Sequence, residues 1–423
     1  MSAIVKAGKK LKNLIKSSGL LKSEKRVSYV RRIERIKTDK RICAMTFDDG
    51  PMALPASPDK FDGRGLTDLL LDTLGKHSAR ATFDIVGCTA ENYPDKAGKL
   101  GSAAWGGEKF DHYPDIDADS YGGAINHPEI VRRMLDEGHE LANHSYRHII
   151  FGKKPFVYGK REHFNTIDEV TDDLSKLHNY IKEKFDYEIK LSRPPHYVDR
   201  IDRNFTSYDA YALMDYGYMA ASYDGGGWLP SGLADTDAAT KDEIDAMVKV
   251  IESKLSENPD FFCGQIIFGK DGYNMAKRTP VAYALDKQLE LLSRFGYSVV
   301  SVSELMEESP FADVGRECDI LPELIELLKI RAIAYNDNTL KLDNPMTNYE
   351  YAMLVTPREV AVEKRIVQIK ASGKLVSEYD AALAYAKENG YLDKSAKGKD
   401  LFGNLTRYQV LKKFVSENVQ ITK

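Results

Sequence analysis

Residues 41–51 read Arg41-Ile42-Cys43-Ala44-Met45-Thr46-Phe47-Asp48-Asp49-Gly50-Pro51. An apolar run of strand length ends on two adjacent carboxylates, and Gly and Pro then turn the chain. Outward from this stretch the same plan recurs. A helical pattern at 65–77 leads to a strand at 79–87, and a helix at 127–138 to a strand at 139–144. A helix at 166–184 precedes a strand at 188–194, and a helix at 205–215 precedes one at 216–224. Helices at 242–255 and 281–296 precede and follow the strand at 263–271, and 297–302 is the last strand. Seven or so strands alternating with helices predict α/β architecture, a parallel sheet with helices outside. At this length a closed or nearly closed β/α barrel fits. In such barrels chemistry gathers at the C-terminal ends of the strands.

The chain of 423 residues is long enough for two domains. Hydrophobic residues make up 43%, enough for a core, and the net charge of −4 argues against a nucleic-acid partner. Cys43, Cys88, Cys263 and Cys318 are far apart with no CxxC pair, which predicts buried thiols rather than a disulfide framework or zinc knuckle. No run of 18 apolar residues exists, so no transmembrane segment is expected. Residues 1–40 are strongly basic and lack the apolar stretch of a secretory signal. They read as a solvated leader. The other reading sets Val5, Leu11, Leu14 and Ile15 on one helical face against anionic lipid or wall polymer. Residues 88–126 form a long connection rich in Gly, Asp and Tyr. Trp105, Phe110, His112 and Tyr113 there either build a sugar-stacking wall or pin the loop to the barrel. Asp111, Asp115, Asp117 and Asp119 lack the glycine and terminal Glu that complete a calcium loop.

Three motifs carry chemistry. Asp48 and Asp49 are costly to bury side by side unless a partner compensates them. A metal ion is such a partner: one carboxylate ligates and the other serves as a base. The second motif is His144-Ser145-Tyr146-Arg147-His148, after a strand. On a helix, four residues' separation puts both rings on one face. Two imidazoles and one carboxylate then leave positions open for water and substrate. The third is Arg193-Pro194-Pro195-His196-Tyr197, whose prolines fix an extended backbone. Such a turn aims Arg193 at a carboxylate such as Asp48 and a backbone N–H at a developing oxyanion.

Taken together, these elements make residues 41–308 resemble a NodB-type polysaccharide deacetylase, carbohydrate esterase family four. The resemblance implies a distorted (β/α)7-type barrel. It makes Asp48 the general base, Asp49, His144 and His148 the metal ligands, and Arg193 the brace of the base. It implies zinc as the metal, with cobalt or nickel tolerated. His196 stands where the family has Tyr, and its backbone N–H keeps the oxyanion role; Tyr197, Asp224 and Trp228 are the further candidates for contact with substrate or oxyanion. Two positions depart from the pattern. Gly227 replaces the Asp of the family's Asp-Trp pair, and Lys270 replaces the general-acid His. All nine histidines lie at or before His196, so no later one takes that role. Lys270 as an ammonium stabilises an oxyanion directly.

Residues 309–423 are predicted to form a small, mostly helical domain in two repeats. Both repeats place a Thr before a helix, with Glu350 three positions after Thr347 and Gln409 three after Thr406. Phe311-Ala312-Asp313-Val314, Asn336-Asp337-Asn338-Thr339-Leu340 and Thr406-Arg407-Tyr408-Gln409 resemble degenerate S-layer homology repeats, which implies a wall polymer as partner. The resulting expectation is metal-dependent removal of acetyl groups, N-acetyl before O-acetyl, from a cell-wall or related polysaccharide. The competing expectation is a catalytically degenerate wall-polysaccharide-binding protein that keeps the metal site. For compartment, the resemblance points to the envelope and the missing signal to the cytoplasm.

Overall fold

The computed structural model describes residues 27–57, 60–88, 121–153, 162–226, 236–271 and 279–418. Its first part runs β1 (Arg32–Ile33), β2 (Ile42–Asp48), α1 (Leu66–Lys76), β3 (Thr82–Ile85), α2 (Pro128–Asp136), β4 (Glu140–Asn143), α3 (Ile167–Phe185) and β5 (Leu191–Ser192). It continues α4 (Ser207–Met214), β6 (Gly217–Met219), β7 (Tyr223–Asp224), α5 (Asp237–Glu257), β8 (Ile266–Lys270), α6 (Val281–Arg294), β9 (Ser298–Val300) and α7 (Val302–Met306). The strands form one parallel sheet in the order β1-β6-β5-β4-β3-β2-β8-β7, with β9 also paired to β2. This is a curled half-barrel with helices outside. Among the described residues no ladder joins β1 to β7, so strand pairing does not close the ring.

Burial explains the pattern. From Cys43 to Asp48 every residue of β2 is buried, as expected of a parallel strand covered on both faces. In α3 the apolar residues Val170, Leu174, Leu177 and Ile181 recur at helical spacing and are buried, and a Thr166–Glu169 capping box starts the helix. Each such aliphatic side chain contributes about 1.5–3 kcal/mol by leaving water.

The expected boundary at residue 40 is corrected. Arg32 pairs with Tyr218 and Ile33 with Met219 in parallel, so the last part of segment 1–40 belongs to the sheet. The physical cause is Ile33 and Ile36, both buried, while the Arg32 guanidinium covers the Tyr218 ring at 5.1 Å. Residues 1–26, with the Val5–Ile15 face, lie outside the described residues, as do Trp105, Phe110, Asp111, His112, Tyr113, Asp115, Asp117 and Asp119 of the 88–126 insertion.

The C-terminal part runs α8 (Leu321–Leu328), β10 (Pro345–Thr347), α9 (Asn348–Val355), a π-helical turn (Val360–Lys364), α10 (Arg365–Ser372), α11 (Glu378–Glu388), β11 (Leu401–Thr406) and α12 (Arg407–Asn418). Both expected caps form: Thr347 with Glu350, and Thr406 with Gln409. The strands preceding the two capped helices pair antiparallel, Pro345 opposite Thr406, which ties the repeats to each other. The Asp313 carboxylate accepts the N–H groups of Leu340 and Lys341 at 2.8 and 2.7 Å, joining the first two motifs of the tail. Val362, Ile366 and Ile369 pack into the barrel's own core, so this part is not a separate appendage.

Candidate metal centre

Strand register builds the site. Asp48, the last residue of β2, stands opposite Asp84 of β3 on one side and Lys270 of β8 on the other. Asn143 ends β4 beside Ser192 of β5, so the segments beginning at His144 and Arg193 emerge next to each other. Five adjacent parallel strands thus deliver Lys270, Asp48, Asp84, His144 and Arg193 to one rim.

The three expected ligands converge. The Nε2 atoms of His144 and His148 each lie 3.1 Å from Asp49 Oδ1, and all three side chains are buried. Ligands about 2.0–2.2 Å from a common cation stand about 3–3.5 Å apart, so the spacing and the donor set fit a divalent metal ion. The expected helix under the two histidines is not there. His144 to His148 form a loop, with Ser145 at φ 77° and His148 at φ 56°. Side chains replace the helix as support. Asn143 Oδ1 accepts the Ser145 N–H at 2.9 Å, and buried Asp173 accepts the Tyr146 N–H at 2.7 Å. Asp49 is also left-handed, at φ 82°, the kind of backbone strain that clusters at functional sites.

Asp48 is clamped. The fully buried Arg193 guanidinium pairs with Asp48 through Nη1, donates to Thr46 Oγ1 at 3.1 Å through Nη2, and to the Met219 carbonyl at 3.2 Å through Nε. Its central carbon lies 5.5 Å from the ring centroids of both Tyr197 and Phe268. Burial nevertheless holds Asp48 above the usual carboxylate range, against the pull of Arg193 and His144. Asp49 is held well below that range: burial opposes this, but Lys270 and His148 outweigh it. His144 is raised, Asp84 and Asp48 overcoming burial, whereas burial depresses His148 to about 4.

The remaining expected residues divide. Lys270 is in the site, its ammonium paired with Asp49 Oδ2. The His196 ring stands 5.0 Å from that of His148. The Tyr197 N–H is donated to the Pro194 carbonyl at 2.9 Å, and its ring stands 5.5 Å from the Arg193 guanidinium carbon. Asp224 is exposed at the end of β7 and accepts the Gly226 N–H at 2.8 Å. Gly227 and Trp228 lie outside the described residues.

Two buried carboxylates were not singled out from the sequence. Asp84 Oδ2 lies 2.7 Å from His144 Nδ1. The signal was present: Thr82-Phe83-Asp84 repeats Thr46-Phe47-Asp48, and the two triplets pair residue for residue. Asp271 accepts from Thr67 Oγ1 at 2.5 Å and donates its own N–H to the Asp48 carbonyl at 2.7 Å. Burial raises its carboxyl well above the ordinary range. It fills the space over Gly50, where a Cβ would meet its Oδ2 at 1.8 Å; this close approach requires the glycine.

Residues 35–216 match the family model described as polysaccharide deacetylase. The chain is similar to a peptidoglycan-N-acetylglucosamine deacetylase of Listeria monocytogenes, 25% identical over 164 residues, 39% of this chain and 23% of the relative. It is also similar to a peptidoglycan-N-acetylmuramic acid deacetylase of Bacillus subtilis, 26% identical over 187 residues, 44% of this chain and 27% of the relative. The chain therefore spans only about a quarter of the length of either relative. Among solved structures it is similar to a family-four carbohydrate-esterase pseudoenzyme from Bacillus anthracis, with TM-score 0.40 and 16% identity over 64% of this chain and 68% of the other. The family-model match and the curated relatives support a NodB-type polysaccharide deacetylase domain in this chain.

Proposed function

We propose that the barrel hydrolyses acetyl groups, N-acetyl in preference to O-acetyl, from a polymer of acetylated amino sugars such as peptidoglycan or another wall glycan. One observation carries this reading: Asp49, His144 and His148 converge in a buried cluster beside an Asp48 that Arg193 holds in place. A divalent cation held by those three residues, zinc first and cobalt or nickel next, supplies Lewis acidity toward the water and the acetyl carbonyl. Asp48 takes the proton of the attacking water, and Arg193 fixes which oxygen faces it. The water oxygen bonds to the carbonyl carbon. The C–N bond then breaks, acetate departs, and the amine leaves carrying the proton that Asp48 took from the water. The His196 N–H and the Lys270 ammonium are the chain's own donors for the oxyanion. The test is acetate release from chitooligosaccharides and from peptidoglycan, with zinc and after chelation; no release in either state overturns the proposal.

A second reading, a wall-glycan-binding protein that has kept the metal site, is favoured by Lys270. It stands at the general-acid position of the family pattern, and its ammonium is engaged with Asp49. Glycan binding without acetate release decides for this reading. Under either, we propose the envelope as the compartment and residues 309–423 as a wall-polymer contact, on their likeness to S-layer homology repeats.

A further inference from the structure

Asp84 is fully buried, and among the described residues neither of its carboxylate oxygens accepts a hydrogen bond of good geometry. A buried charge in that condition costs several kcal/mol and contributes no packing that an aliphatic side chain would not supply better. Its position gives it a use. Oδ2 lies 2.7 Å from His144 Nδ1, off the line of the hydrogen bond that Nδ1 makes to the Arg193 carbonyl at 2.9 Å. The Asp84 backbone carbonyl accepts the Asp49 N–H at 3.3 Å. One residue therefore touches two members of the metal triad, one through its side chain and one through its backbone. With Nδ1 facing two oxygens, its proton is held there, and Nε2, directed at Asp49, is the ring nitrogen that a cation would take.

We propose that Asp84 is a positioning residue of the metal centre: its carboxylate fixes the tautomer and orientation of His144 and strengthens Nε2 as a donor to the cation. The inference rests on the metal-centre reading above and extends it to a residue outside the ligand set. Outer carboxylates of this kind typically contribute about 10- to 100-fold in metal affinity.

The experiment is zinc binding to the full chain by calorimetry, without substrate, alongside urea unfolding of the metal-free protein. Asp84→Asn keeps the size and removes the charge; Asp84→Leu removes the polar group altogether. The expected result is a zinc Kd weaker by about 10- to 100-fold in both, with metal-free stability equal to or above wild type. Cobalt loaded into Asp84→Asn would show altered d–d bands. A purely structural role predicts the opposite: lower metal-free stability with unchanged Kd. Variant Kd values within threefold of a wild type that binds zinc overturn this inference alone. A wild type that binds no zinc overturns the metal-centre reading, and this inference with it. If Asp84→Leu does not fold, Asp84→Asn decides.

Discussion

Lys270 is the residue on which the chemistry turns. Its ammonium lies on Asp49 Oδ2, the carboxylate oxygen facing away from the two imidazoles. A cation fixed there competes electrostatically with a divalent ion bound to the same carboxylate. Unit charges 4 Å apart interact by about 4 kcal/mol at an effective dielectric of about 20, and about a third of that is a tenfold change in affinity. Lys270→Met is therefore expected to tighten zinc binding by about tenfold, read by calorimetry; an unchanged or weaker Kd means that Lys270 does not oppose the ion. The same substitution separates the two functions proposed. If Lys270 steadies the oxyanion, acetate release falls by about 100-fold or more although the metal is held more tightly. Asp48→Asn makes the complementary case. It removes the base but none of the ligands, so acetate release should drop by about 100- to 10,000-fold while the zinc Kd stays within a few-fold. A large loss of zinc on that change would instead make Asp48 a ligand.

The elements show why some of this was legible in sequence and some was not. The succession of strands and helices could be read because the longer barrel strands β2, β3 and β4 are buried apolar runs and helices such as α3 keep their apolar face at regular spacing. The Asp-Asp, His-x-x-x-His and Arg-Pro-Pro groups could be read because each follows a strand end. The loop from His144 to His148 could not be, since its shape comes from Asn143 and from Asp173 on a later helix, not from local propensity. Nor could β1, only two residues long within a basic segment, whose partner β6 lies far along the chain. Asp84 becomes visible only once β2 and β3 are placed in register. His139, just before β4, is a similar case, and it makes a prediction independent of the metal. Its Nδ1 accepts the Ala81 N–H at 3.1 Å, which ties the starts of β3 and β4 together. Burial, helped by Arg133 and Arg80 against Glu304, lowers it from 6.5 to about 4. The unfolded chain therefore binds the proton more readily than the fold does. This contribution is complete above about pH 6.5 and is lost as pH falls toward 4, about 3 kcal/mol in all. In His139→Asn, urea-unfolding stability should fall less over that window than in wild type. Parallel pH profiles would show that His139 is not buried neutral.

At the scale of the whole molecule, a strap and a buried ion pair join the barrel to the C-terminal part. Residues 27–37 are the strap. Ile33 lies in the sheet, while the Val27 N–H is donated to the Tyr379 hydroxyl at 2.8 Å and the Arg31 guanidinium to the Pro310 carbonyl at 2.7 Å. The ion pair is Arg365, which opens α10, with Asp209 in the first turn of α4; both side chains are about 5% exposed or less. Asp209 also accepts the Thr206 N–H at 2.8 Å, so it is fixed in place with or without its partner. Arg365→Met then leaves a buried carboxylate without its Arg365 counter-charge, and should cost about 3–5 kcal/mol. Adding Asp209→Asn keeps the cap and removes the stranded charge, so the double variant should recover most of that loss. The coupling is measured by urea unfolding of the four proteins, followed by fluorescence and by circular dichroism. If the join is as tight as this packing implies, both probes report one transition in the wild type and in the double variant. Two separated transitions in the wild type would show that the C-terminal part melts on its own, and that Val362, Ile366 and Ile369 are not needed to complete the core of the barrel.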